Sequence, residues 1–517
     1  MRIRLLAAIL CLGIPSAMPA SSQPSTDTAV IAVPADPGHL NPAISTAGPL
    51  HAVADSMFNG LVSLGGDGEV QPDLARAWSV SEDGLEVRFE LNRDVAWHDG
   101  QPFTAADVKF TFEEVLFKFH ARTRAGLAPA VASVEAPDPA TVVFRMKRPH
   151  PALLRQLDVT EAPILPRHLY AGSDPNKNPT NARPVGTGAY RFESYKRDDS
   201  IVLVRNDRYF KPALPSLDRL VFRIIPDTNT QIAALANGEV DYLGRVSPAD
   251  VARLKGKATL AGTTAGPGGA NCIMTLAFNL QRPQLDKLAV RQAFAHAIDR
   301  RQMLERVQFG QGRVPGAPIH SAIGWATLPD ALAAYAVDTA KANALLDGAG
   351  LARGQSGERV MLDLLLFPAF ARYGELMRQQ LAAVGIALRL RPLDPAAFAT
   401  AVFTQRDFDI ALVSYCNGVD PEIGVRRMYH SSAVGNVPFS NAAAYSNPEV
   451  DRLFDRAGSM TEAAARGEAY RALQKIVATE LPYWWLVETD FTSAWRESFS
   501  DFAPWSGQFA ERARRLR

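Results

Sequence analysis

Arg359-Val360-Met361-Leu362-Asp363-Leu364-Leu365-Leu366-Phe367 opens a stretch that runs on through Tyr373 to Val384, Ile386 to Leu393, Pro395 to Phe403 and Phe408 to Ser414. Three aliphatic runs of strand length, Val360 to Phe367, Ile386 to Leu393 and Phe408 to Ser414, are separated by two segments with helical spacing. Strands alternating with helices predict a mostly parallel sheet joined by right-handed crossovers, so the fold class is α/β. In such sheets ligands gather at the carboxyl ends of the strands, where the loops converge. Tyr415-Cys416-Asn417-Gly418-Val419-Asp420-Pro421 leaves the third strand at that end and is the candidate pocket wall.

Earlier in the chain the organisation differs. Leu85, Val87, Phe89 and Leu91 alternate with polar residues at the two-residue period of a half-buried strand, and Asp99-Gly100 then signals a turn. Thr104 and Asp107 form a capping pair for a helix whose Val108, Val115, Leu116 and Phe119 share a face, and Thr141 to Met146 reads as another strand. No period of 20 to 50 residues recurs, which argues against solenoids and propellers. The glycine-rich patch Gly262 to Gly269 suits a hinge, because glycine absorbs large backbone changes at little steric cost.

With 517 residues, 47% of them hydrophobic, the chain is long enough for at least two domains. Its 55 basic and 54 acidic residues are interspersed, so no broad basic field points to nucleic acid, and Arg512, Arg514, Arg515 and Arg517 read as a solvated end. Arg2 and Arg4, the apolar run Leu5 to Ile14 and the small residues Ala17 to Ser22 have the order of a cleavable export signal over residues 1–22. Loss of the two leader arginines would take the formal charge from +1 to −1. No later segment reaches the roughly 18 uninterrupted apolar residues of a membrane helix. The residue pattern before Cys11 lacks the small residue that precedes a lipidated cysteine, so a soluble exported product is expected. Cys272 and Cys416, far apart in sequence, allow a single disulfide in an oxidising compartment, but the chain is large enough to do without one and two isolated buried thiols are expected.

Several segments, in order, resemble the family 5 extracellular solute-binding proteins, the dipeptide- and oligopeptide-binding components of ABC importers, some of which handle nickel. They include Met57-Phe58-Asn59-Gly60-Leu61, Gln71-Pro72-Asp73-Leu74-Ala75, Val95 to Val108, Pro184 to Tyr190, Val290 to Phe294 with Ile298-Asp299-Arg300, Tyr445 to Asp451, and Leu481-Pro482-Tyr483-Trp484. The resemblance implies a bilobal periplasmic-binding-protein fold with a small α+β subdomain inserted in the first lobe. The first lobe would span residues 23–271, with the insertion at about 62–183; the second lobe would span 272–480, and 481–517 would return to the first. It further implies a periplasmic receptor, expected to be monomeric and without a cofactor, that closes on a peptide or peptide-like small solute and delivers it to membrane permease subunits.

In the dipeptide-binding relatives an aspartate in a loop of this shape pairs with the ligand's ammonium group. Aligned on Asp420-Pro421, that aspartate's place falls to Asn417, whose amide offers only a dipole. Either Asp420 performs the pairing from a shifted position, or the ligand is not a free-amino peptide. Asn417→Asp is then expected to improve the binding of free-amino peptides. Arg426 and Arg427 follow closely, and a guanidinium fork suits a ligand carboxylate or phosphate. Adjacent residues point different ways, so at most one of the two faces the cleft. Tyr415 and Cys416 join Asn417 and Asp420 as expected pocket residues; Thr46 is expected on the first-lobe side, and Trp485 as a flat wall at the return crossing.

Other chemistries find little support. Trp97-His98-Asp99-Gly100 reads as a turn, and Gly186-Thr187-Gly188 lacks the third glycine of a dinucleotide site. Nine histidines are scattered without metal-ligand spacing, and no Cys-x-x-Cys or Gly-x-Ser-x-Gly occurs. A secreted hydrolase with a two-lobed cleft would need a nucleophile beside a base, for which no signature is present. A sensory receptor would share the same lobes.

Overall fold

A computed structural model describes residues 27–516 apart from 67, 264–269 and 436–438. The expected export signal and most of the Gly262 to Gly269 patch therefore lie outside the described residues. Two sheets organise the chain into two lobes. The first has seven strands in the order Thr259–Thr263, Phe491–Trp495, Tyr242–Val246, Thr28–Val33, Arg219–Ile224, Ser200–Arg205 and Tyr190–Lys196. The second has five, in the order Ile386–Pro392, Val360–Leu366, Ile410–Cys416, Cys272–Phe278 and Tyr483–Glu488. A separate antiparallel sheet of Ala75–Val80, Glu86–Leu91, Thr141–Met146 and Val131–Asp138 belongs to the first lobe.

The elements read from residues 359–417 are present. Val360–Leu366 pairs in parallel with Ile386–Pro392 and with Ile410–Cys416, and Ala371–Ala382 is the helix between the first two strands. The remainder of the sheet is antiparallel: Cys272–Phe278 runs against Ile410–Cys416 on one side and Tyr483–Glu488 on the other. These are the strands that carry the chain into and out of the lobe: Cys272–Phe278 enters, and Tyr483–Glu488 leaves, at the end where the parallel strands finish. Both faces of this sheet are covered, which explains the nearly unbroken burial of Cys272–Phe278 and Tyr483–Glu488.

Two expectations are corrected by this register. Tyr483–Glu488 hydrogen-bonds into the second sheet, so the return to the first lobe falls at Thr489 and Asp490 rather than at Leu481. Cys272 and Cys416 are not isolated thiols but a disulfide. Their separation of 144 residues conceals that antiparallel pairing sets Cys272 opposite Cys416. Closing so long a loop restricts the unfolded chain, and reduction, or the variant Cys272→Ser with Cys416→Ser, is expected to lower unfolding free energy by about 2–4 kcal/mol. Urea titration with and without reductant measures this.

The helix after Thr104 is also found. The Thr104 backbone N–H donates to Asp107 Oδ2 at 2.9 Å, and Val108, Val115 and Leu116 are buried against the inserted sheet. At Gly186 a Cβ would lie 1.8 Å from the Met57 carbonyl oxygen, so this segment passes where only glycine fits. His98 supports the same crossing: Gly186 N–H donates to its Nδ1 at 3.2 Å, and its Nε2 meets the Gly188 carbonyl at 3.0 Å. Burial holds its pKa down at about 4, as suits a neutral structural imidazole.

Candidate functional site at the lobe crossing

Cys416 is bonded to Cys272, the first residue of the strand entering the second lobe, so the loop Asn417 to Pro421 leaves the sheet where the chain crosses between lobes. Asn417 N–H donates to the Asn271 carbonyl at 2.9 Å, and Gly418 N–H to that of Ala270 at 3.0 Å, tying the loop to the crossing segment. The lobes touch here. Val419 lies against Gly68, Arg148 approaches Glu422 at 3.8 Å, and Arg148 Nη1 donates to the Gly458 carbonyl at 3.4 Å.

Within this loop the expected residues part company. Asn417 is fully buried; its Oδ1 accepts the His320 backbone N–H at 2.8 Å, while its Nδ2 has no partner among the described residues. Gly424 allows the next helix to close on it, since a Cβ there would lie 2.4 Å from the Asn417 carbonyl. Asp420 is not available to a ligand. It is fully buried, caps Pro421–Gly424 through the Glu422 N–H, and takes two hydrogen bonds from Arg466 at 2.8 and 3.0 Å. Tyr415 is core rather than wall, its hydroxyl donating to the Ser440 carbonyl and its ring packed edge-on against Tyr483. Cys416 is consumed by the disulfide.

The two arginines also separate. Arg426 is paired with Asp455 at 2.5 Å and faces Glu422 at 3.7 Å, so its charge is satisfied inside the second lobe. Arg427 has no carboxylate partner among the described residues. It donates only to the Cys416 and Gly424 carbonyls, at 3.2 and 3.3 Å. Burial lowers its pKa from the usual guanidinium range, and Arg122 of the first lobe lowers it further while Glu161 opposes. An arginine desolvated without a carboxylate partner, on the short helix Arg426–Tyr429 that follows this loop and within electrostatic reach of the opposite lobe, can accept an anion.

Trp485 is fully buried with Nε1 donating to the Tyr429 hydroxyl at 3.0 Å, and therefore packs the core instead of forming a wall. Thr46 is half-buried in the turn before Gly48–Ala54, next to Ser45, whose carbonyl oxygen lies 2.9 Å from His51 Nε2. It is brought near a first-lobe charge network that sequence reasoning missed. His51 pairs with Asp55 at 2.8 Å, Arg122 with Glu161 at 2.8 Å, and Asp158, 5% exposed, sits among them. Asp158 lines a cavity of about 10 Å³ with Ser63, Leu64, Asp73 and Trp505. A lone aspartate in the apolar context Leu157-Asp158-Val159 was the only signal for it.

Burial, with Glu161 and Asp55 adding to it, raises the Asp158 carboxyl to about 7. The folded state thus holds a proton that the unfolded chain releases near pH 4, and stability is lost as pH rises from about 4 to about 7. Asp158→Asn removes that loss. It is expected to exceed the parent by on the order of 2 kcal/mol at pH 7 and to lose the advantage near pH 4, as thermal unfolding at the two pH values would show.

Among the described residues no group of three or more His, Cys, Asp or Glu side chains could hold a metal ion, and no helix is long and apolar enough to cross a membrane. Two lobes joined by crossing strands, with a loop and an uncompensated arginine beside the crossing, have the architecture of a bilobal solute-binding protein. Comparison with known proteins agrees: the description "bacterial extracellular solute-binding proteins, family 5" matches residues 69–436, and the chain belongs to that family of binding proteins, not enzymes. A candidate ABC transporter peptide-binding protein of Brucella ovis is 30% identical over 459 residues, covering 86% of this chain and 84% of its own. The ABC transporter substrate-binding protein CtaP of Listeria monocytogenes superposes with a TM-score of 0.82 at 24% identity, over 95% of this chain and 99% of that one. The binding protein AgaA of A. tumefaciens R10, solved with agropinic acid, gives 0.79 at 25% identity, over 95% and 99%.

Proposed function

We propose that the protein is the periplasmic substrate-binding component of an ABC importer, which captures a peptide or peptide-like small solute carrying an anionic group and hands it to membrane permease subunits as a monomer. The observation that carries this reading is Arg427, a guanidinium on the short helix Arg426–Tyr429 that follows the loop at the lobe crossing, whose only hydrogen bonds among the described residues go to backbone carbonyls. A ligand drives closure only if it contacts both lobes, because affinity for one lobe alone is the same open or closed. Arg427 supplies the second-lobe contact. Its proximity to Arg122 and Glu161 brings the first lobe within range of the same ligand.

Peptide binding is supported by the name of the Brucella ovis relative, and agropinic acid in AgaA supports acidic amino-acid conjugates as the neighbouring class. A thermal-shift screen of the mature protein with di- and oligopeptides, opines, sugars and metal chelates tests the reading. A binder at a hundred times its Kd stabilises by about 2.7 kcal/mol. Stabilisation by carboxylate-bearing peptides or opines, with a more compact X-ray scattering profile on binding, is the expected result. Stabilisation by neutral sugars alone would overturn it.

A further inference from the structure

Asn417 leaves a question of charge. A peptide or opine in the cleft brings a cationic nitrogen as well as an anion, and the second-lobe loop offers that nitrogen no carboxylate: Asn417 is an amide and Asp420 is closed off by Arg466. The first-lobe wall is different. Around it the buried carboxylates each have a cation of their own, Asp55 with His51, Glu161 with Arg122 at 2.8 Å, and Asp73 with Lys211 at 3.0 Å.

Asp158 has no ion pair of its own among the described residues, and the cation it feels, Arg122, is paired with Glu161. Its oxygens accept only two long backbone bonds, from Thr160 N–H at 3.4 Å and Glu161 N–H at 3.3 Å. It lies 5% exposed on a cavity of about 10 Å³. A volume of this order takes one water-sized group. Trp505 lines the same cavity, its half-buried indole lying against Gly66. A carboxylate beside an aromatic face is the pairing that recognises an ammonium group. Glu161, three residues along the chain from Asp158, is felt by Arg427 of the second lobe.

Resting on the reading of the preceding subsection, we infer that Asp158 of the first lobe, with Trp505 beside it, is the ammonium-binding subsite of the ligand, opposite an anion subsite at Arg427 of the second. The ligand is then a zwitterion whose two charges engage different lobes. Neither lobe alone satisfies both ends, so the closed form gains the second contact. This split also explains why the loop tolerates an asparagine at 417: the cation is received on the other side.

The test uses the mature full-length protein and three probes, namely trialanine, N-acetyl-trialanine and trialanine amide, by titration calorimetry at pH 7. Trialanine is expected to bind at least about tenfold more tightly than its acetylated form. In Asp158→Asn that preference should vanish while the preference for the free carboxylate over the amide persists. Trp505→Leu should weaken trialanine several-fold and leave the acetylated probe unchanged, which provides a second reading independent of the folding of the first variant. Equal binding of free and acetylated probes, or a preference that survives Asp158→Asn, overturns the ammonium subsite while leaving the solute-receptor reading intact. Absence of binding by all three probes and by di- and pentaalanine removes the peptide reading, and the subsite with it.

Discussion

Arg427→Gln is expected to lower affinity for a carboxylate-bearing ligand by about 2–5 kcal/mol, the range measured when one partner of a buried charge pair is truncated. Glutamine keeps a donor for the Cys416 or Gly424 carbonyl, so the loop should hold its shape while the charge is lost. Folding stability should not fall with it, because burial already disfavours the Arg427 cation in the ligand-free protein. The neighbouring Arg426→Gln is the contrast. Its guanidinium is spent on Asp455 and Glu422, so its loss should change ligand affinity by less than about 1 kcal/mol. Calorimetry on the parent and both variants, with a peptide and its carboxamide, reads the result. An Arg427→Gln protein that still prefers the free acid over the amide would place the anion elsewhere.

The sequence was most legible where local periodicity decided the outcome. Three strands and their helices between Val360 and Cys416 follow from aliphatic runs and helical spacing, and the parallel sheet then locates the loop at Asn417. What could not be read is what that loop touches. Tyr415 and Trp485 are polar-tipped aromatics that a pocket or a core would use equally; only the Ser440 carbonyl and the Tyr429 hydroxyl show them to be core. The disulfide depended on a register set 144 residues apart. Adjacent Arg426 and Arg427 were correctly separable in principle, since neighbours on a helix diverge, but which one carried the free charge was decided by Asp455, on another helix. Asp158 was missed for a related reason. Its significance lies in having no ion pair of its own among the described residues where Asp55, Glu161 and Asp73 each have one, and that contrast exists only in three dimensions.

The sequence did not disclose the partner of Asp420, which lies 46 residues on, in the helix Ala463–Glu480. The Asp420 carboxylate is fully buried and the Arg466 guanidinium nearly so, and the two-pronged contact is backed by Arg466 Nε donating to the Ala457 carbonyl and by the Trp325 ring 5.0 Å from the guanidinium. Removing one member leaves the other charged in an apolar setting. Asp420→Ala is therefore expected to cost about 3–5 kcal/mol of folding stability, seen as a lower urea midpoint with an unchanged slope. Arg466→Met should cost a comparable amount, with Glu422 beside it adding repulsion to the stranded Asp420. The double variant should be less damaged than the two single losses together, because neither charge is left alone. Ligand affinity should drop along with stability in Asp420→Ala, since the same carboxylate caps the helix that carries the loop toward Arg427. Additive losses in the double variant, or a single-variant cost below about 1 kcal/mol, would mean that the pair is solvated in solution and does not fix the loop.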